Sequence, residues 1–148
     1  MLLYTIFRYF HFLAIFALAG TLLVENIATK PTINGEDARN LAKIDTAYII
    51  SISLVFVFGL ALWLLVGKPG AFYSYNILFL GKLAMFTTLA LLSIYPAIFF
   101  RKNRKSSEEE IKVPKIVISL LRIQLGILAI IPILAFLTAR GIGATILQ

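Results

Sequence analysis

The sequence predicts an all-α fold, a four-helix transmembrane bundle running up-down-up-down, and three observations carry that prediction. Sixty per cent of the 148 residues are hydrophobic and 14% are charged, where soluble domains run at about 45–50% and about 25%. The apolar residues gather into four runs, each near the ~20 residues that a helix needs to cross a ~30 Å hydrocarbon core. None of the runs alternates polar with apolar residues as a membrane β-strand does, and unpaired backbone groups are too costly in lipid for anything but helix. A chain of this length makes one unit, so residues 1–148 are read as a single integral membrane domain. Cysteine is absent, which excludes disulfides, thiolate metal sites and cysteine nucleophiles.

The helices are expected at about 2–25, 45–67, 76–100 and 115–140, with polar loops at 26–44 and 101–114. In the first, Ala17-Leu18-Ala19 matches a signal-peptide cleavage pattern. The apolar run nevertheless continues through Leu22, Leu23 and Val24, and only Arg8 precedes the core, so an uncleaved helix is expected. The 26–44 loop turns at Pro31. Asn34 then stands as an Asx N-cap before Glu36 and Asp37, and Ala38, Leu41, Ala42 and Asp45 continue at helical spacing as an amphipathic lead-in at the interface. Between the second and third helices, Gly67-Lys68-Pro69-Gly70 reads as a short turn, with Trp63, Tyr73 and Tyr75 in an aromatic belt. In the 101–114 loop, Ser107 and Glu110 have capping-box spacing and Pro114 marks the start of the fourth helix, while Glu108, Glu109 and Glu110 neutralise the basic run before them.

The net charge of +7 is concentrated in these loops. Nine Lys or Arg lie in the 26–44 and 101–115 segments against two, Lys68 and Arg140, on the other side. That asymmetry puts both loops in the cytoplasm and both termini on the outer side, which is periplasmic in a Gram-negative bacterium. No aromatic and basic residues interleave on a polar surface, which excludes nucleic acid as a partner. The lipid bilayer is the expected partner, with a homodimer as a second.

Ionisable residues inside spans are expensive and mark candidate sites. From a rise of ~1.5 Å per residue, Arg8, His11 and Lys82 share the outer half of the bundle, with Met85 on the Lys82 face. Three bases with no carboxylate at their depth call for an anionic or electron-rich ligand, or for Arg8 and Lys82 to snorkel outward. At the cytoplasmic boundary, Glu25, Asp45 and Arg122 are expected to form structural ion pairs. Ala14, Ala17, Gly20, Gly59, Gly126 and Ala129 supply small surfaces for helix packing.

A b-type haem needs an axial imidazole, and His11 is the only histidine. Bis-histidine ligation within one protomer is excluded. His11 with Met85 or Lys82, five-coordinate iron, or a site shared across a dimer stay open, with Arg8 and Lys82 as partners for propionates or a quinone oxygen. Hydrolytic chemistry is excluded by the absence of a nucleophile beside a base, a metal-ligand cluster or a phosphate loop.

The run YFHFLAIFALAGTLLVE at Tyr9–Glu25, ARNLAKID at Ala38–Asp45, GKPGAFYSY at Gly67–Tyr75, the Gly81–Pro96 segment ending LLSIYP, and ARGIG at Ala139–Gly143 resemble a family of predicted bacterial inner-membrane proteins of unknown function. That family is distantly similar to the small four-helix bacterial protoporphyrinogen oxidases, which bind haem b and carry a His in helix one and a Lys in helix three. The resemblance implies that His11 and Lys82 occupy those positions, with His11 as haem ligand. It further implies a haem- or quinone-linked oxidoreductase, and the bacterial inner membrane as the location. A small anion or proton transporter or channel, and an accessory subunit of a membrane complex, are the alternatives from the residues themselves.

Overall fold

The computed structural model describes residues 1–144. In chain order it contains α1 (Leu2–Ala28), β1 (Thr32–Ile33), α2 (Gly35–Leu64), α3 (Gly70–Ser74), α4 (Ile77–Leu92), α5 (Ile94–Asn103), β2 (Ile111–Lys112) and α6 (Lys115–Ala139). Four stretches are long and apolar enough to span a membrane: α1, α2, α4 continued by α5, and α6. The transmembrane four-helix architecture is therefore as expected. Large apolar side chains such as Phe16, Ile27, Val57, Leu91 and Phe136 are exposed around its perimeter, which is where lipid replaces water as the solvent.

One face of the bundle carries the two polar loops, and they are joined. Strands β1 and β2 pair antiparallel, Thr32 with Lys112 and Ile33 with Ile111, and the Val113 amide donates to the Pro31 carbonyl at 2.9 Å. The Gly35 amide donates to the Glu108 carbonyl at 3.0 Å. Gly35 is obligatory here, because a Cβ would overlap the Ser106 carbonyl. The 107–110 stretch is loop, with no helix starting at the Ser107–Glu110 spacing, and its Glu108 carbonyl is held by the Gly35 amide. We call this side the loop face. The opposite side carries the turn expected at 67–70, followed directly by the short α3, and is the hairpin face.

Helix α2 begins ten residues before the expected 45, since the lead-in is continuous with the span. Its capping box is complete. Asn34 Oδ1 accepts from the Asp37 amide at 2.8 Å and Asp37 Oδ2 accepts from the Asn34 amide at 3.3 Å, satisfying two orphan donors of the first turn. Ala38, Leu41, Ala42 and Asp45 are all buried, while Glu36, Asp37, Arg39, Asn40 and Lys43 are exposed, so the lead-in is amphipathic and turns its apolar face onto the protein.

The third span, read as one helix, is broken at Ser93 between α4 and α5. Pro96 has no N–H to give the Leu92 carbonyl four residues back, and its ring crowds that turn. Packing partners then differ by half: α4 lies on α6, whereas α5 lies on α2, and α1 runs along both α2 and α6. The core threads between them as Leu18, Leu22, Leu41, Tyr48, Leu89, Phe100, Val117 and Leu121. On the hairpin face, Asn76 caps α4 by accepting from the Leu78 and Phe79 amides, and its Nδ2 donates to the Ile142 carbonyl at 3.0 Å, tying down the end of α6. Among the small residues singled out for packing, Gly20 and Gly126 have no atom within 4 Å of where a Cβ would stand. They face outward; Gly59 is the glycine that takes a close neighbour.

Candidate functional site

Two polar sites result, one in the loop-face half of the interior and one in the hairpin-face half. The first is built from Glu25 on α1, Asp45 and Tyr48 on α2, and Gln124 on α6. Each is 1% exposed. Glu25 belongs to the buried stripe Ala14, Leu18, Leu22, Glu25, the i, i+4, i+8, i+11 positions that a helix turns to one side. Asp45 and Tyr48 are three residues apart and share a face of α2. The Tyr48 hydroxyl donates to Gln124 Oε1 at 2.9 Å, and Gln124 Nε2 donates to the Leu92 carbonyl at 3.4 Å. That carbonyl is the acceptor which Pro96 leaves without its helical donor, so a buried amide on α6 repairs the break in the third span.

The two carboxyls are close enough to act electrostatically on each other and on Tyr48. Glu25 Oε1 and Asp45 Oδ2 are both buried without a hydrogen-bond partner. The expected ion pairs with Arg122 are not formed. Arg122 is exposed, because α6 buries Val117, Leu121, Gln124 and Leu128 and turns position 122 outward. The cation whose charge reaches Asp45 is Arg101 on α5, itself exposed. A buried charge without a partner costs several kcal/mol by general estimates, so the pair demands a cation of its own. Among the described residues no three His, Asp or Glu group as a metal site.

The second site is the basic layer. His11 is half-buried between α1 and α2, with its Cε1 3.2 Å and its Nδ1 3.8 Å from the Cβ position of Gly59. Its Nδ1 is buried and makes no hydrogen bond. Lys82 acts on it electrostatically, and the Lys82 ammonium stands 4.6 Å over the Phe79 ring, a cation–π contact. Phe79 also packs against Trp63 at 5.0 Å and Tyr73 at 5.2 Å, so Trp63 and Tyr73 turn inward and Tyr75 alone of the expected belt is exposed. Burial, and secondarily Tyr4, pushes the Tyr73 hydroxyl above the usual phenol range. Arg8 is exposed and remains on α1, its guanidinium 5.9 Å from the Tyr4 ring and 5.6 Å from the Phe12 ring.

Thus the Lys82 charge reaches His11, while Arg8 is exposed and its charge reaches Tyr73, which packs on the same Phe79 ring. Met85 is half-buried on α4. For haem b, His11 is the one imidazole in the sequence and would be the axial ligand; its buried Nδ1 is without a hydrogen-bond partner. Two ring pairs bridge α2 and α4, Trp63 with Phe79 at 5.0 Å and Phe56 with Phe86 at 6.5 Å.

Tyr48 and Gln124 are the site residues that sequence reasoning missed. Their signals were present: a tyrosine one turn after Asp45, and a lone amide inside the fourth apolar run. A family model described as a predicted membrane protein (DUF2214) matches residues 4–143. No curated protein and no solved structure matches, and nothing in these comparisons carries the finer resemblance to the protoporphyrinogen oxidases.

Proposed function

The chain belongs to the DUF2214 family of predicted membrane proteins, and from that premise we propose that it is a small proton transporter that works through the Glu25–Asp45 pair. One observation carries this: two fully buried carboxyls, on adjacent helices, each with an oxygen lacking any hydrogen bond and neither paired to a basic residue among the described residues. A proton is the cation that such a pair takes up with no further ligands, whereas hard metal ions demand six or more oxygens. Intramembrane carboxyls of this kind are the usual elements of proton relays. Tyr48 and Gln124 extend the polar interior toward the break in the third span, and buried Leu18, Leu22 and Leu89 separate it from His11 and Lys82. The excess of Lys and Arg on the loop face supports that face being cytoplasmic, with both termini outside, in a bacterial inner membrane.

The test is proton flux into proteoliposomes carrying a trapped pH-sensitive dye, driven by an imposed potassium diffusion potential. Wild-type protein is expected to exceed protein-free vesicles, with Glu25→Gln and Asp45→Asn each removing most of the excess. Wild-type flux at the protein-free level, or flux unchanged in both variants, overturns the proposal.

A further inference from the structure

We propose that the loop face holds one anionic phospholipid, its phosphate headgroup on Arg39, Lys43, Arg104 and Lys105 and an acyl chain in the adjoining groove between α1 and α2. Two neighbouring features of the surface support it. The first is a cleft of about 300 Å³ lined by those four cations with Ala42 and Thr46 as its floor. Arg39 and Lys43 lie one turn apart on α2, and Arg104 and Lys105 follow α5, which packs on α2. The β1–β2 ladder and the Gly35 to Glu108 hydrogen bond fasten the second loop to the start of α2. Glu108, Glu109 and Glu110 do not pair directly with these cations: among the described residues the four form no hydrogen bond to a carboxylate, and the Glu108 backbone is engaged with Gly35. Four like charges in one cleft repel one another until an anion joins them.

The second feature is a groove of about 310 Å³ lined by Gly20, Thr21, Val24, Lys43, Ile44 and Ala47. Lys43 lines both, so the cleft and the groove adjoin. The groove is almost wholly apolar, faces the lipid, and is deepened where Gly20 has no side chain and nothing within 4 Å of its Cβ position. A positive mouth above an apolar channel is complementary to a molecule with a phosphate at one end and a hydrocarbon chain at the other, and basic pockets between transmembrane helices bind such headgroups. Free phosphate satisfies only the mouth.

The test uses the full chain in neutral-detergent micelles and a fluorescent short-chain phosphatidylglycerol, with the matching phosphatidylcholine as control. Saturable binding of the first and not the second is expected. At about 1 kcal/mol per cation, Arg39→Gln with Lys43→Gln, or Arg104→Gln with Lys105→Gln, should each weaken it about 30-fold. Lys102→Gln, outside the cleft, should change nothing. Gly20→Leu fills the groove, has open space in which to stand and should also weaken binding, with helical circular dichroism confirming that each variant is folded. Equal binding of the two lipids, or unaltered affinity in both paired variants, overturns the site. Displacement of the probe by millimolar inorganic phosphate together with an inert Gly20→Leu overturns the lipid and leaves a phosphate site in its place.

Discussion

The Tyr48–Gln124 bond is the interaction whose strength the geometry allows to be worked out. At 2.9 Å between fully buried groups it is a sound O–H···O bond, whereas Gln124 to the Leu92 carbonyl at 3.4 Å is marginal. Tyr48→Phe strands one acceptor, Gln124 Oε1, and a stranded buried group costs about 1–3 kcal/mol. Gln124→Leu strands two groups, the Tyr48 hydroxyl and the Leu92 carbonyl, and is expected to cost about twice as much as Tyr48→Phe. The double variant strands only the Leu92 carbonyl, so its cost falls below the sum of the single ones. In membrane proteins such couplings average about 0.6 kcal/mol and reach about 1.7; full burial on both sides places this one in the upper part of that range. Reversible unfolding in mixed micelles, run on all four proteins, measures it. Additivity within about 0.3 kcal/mol would show that the two side chains do not bond and would refute the assembly of the loop-face site.

Two further outcomes follow from the same structure. Gly35→Ala places a methyl group on the Ser106 carbonyl and should loosen the joined loops. It is expected to cost about 1–3 kcal/mol and to raise amide hydrogen exchange at Gly35 equivalents in the ladder, notably Val113, while the spans stay protected; unchanged exchange there would contradict the tie. For the basic layer, the proton-transport reading uses no haem, so protein supplemented with haemin is expected to show no Soret band that His11→Ala abolishes. A histidine-dependent Soret band would place haem b at His11.

The legible part of this fold rests on burial statistics and local chemistry. Four spans follow from the length and purity of the apolar runs, since lipid permits only helix there. The Asn34 cap and the start of α6 after Pro114 follow from backbone groups satisfied within a few residues. Sequence alone also picks out Glu25, Asp45, His11 and Lys82, because an ionisable residue in an apolar run is conspicuous whatever it touches. What such a pattern leaves undecided is which partner each one meets. In a helix surrounded by lipid, the outward face is as apolar as the inward one, so the periodicity that orients a water-soluble helix is weak. Depth along the span sets Arg122 beside Glu25 and Asp45, yet it is exposed; Gln124, two residues on, is the one that is buried.

The tertiary structure decided the rest through contacts distant in sequence. Pro96 breaks the third span for a local reason, but the amide that answers the freed carbonyl comes from α6. The loops look like independent polar linkers until a two-residue ladder joins them, and that junction is what gathers Arg39, Lys43, Arg104 and Lys105. Sequence by itself determined that the chain lives in a membrane and which residues are costly there, because that depends on each residue's own transfer free energy. Only the packed structure decided that both carboxyls are buried without a hydrogen bond while Arg122 and Arg8 are exposed, because that depends on how four helices share their inward faces.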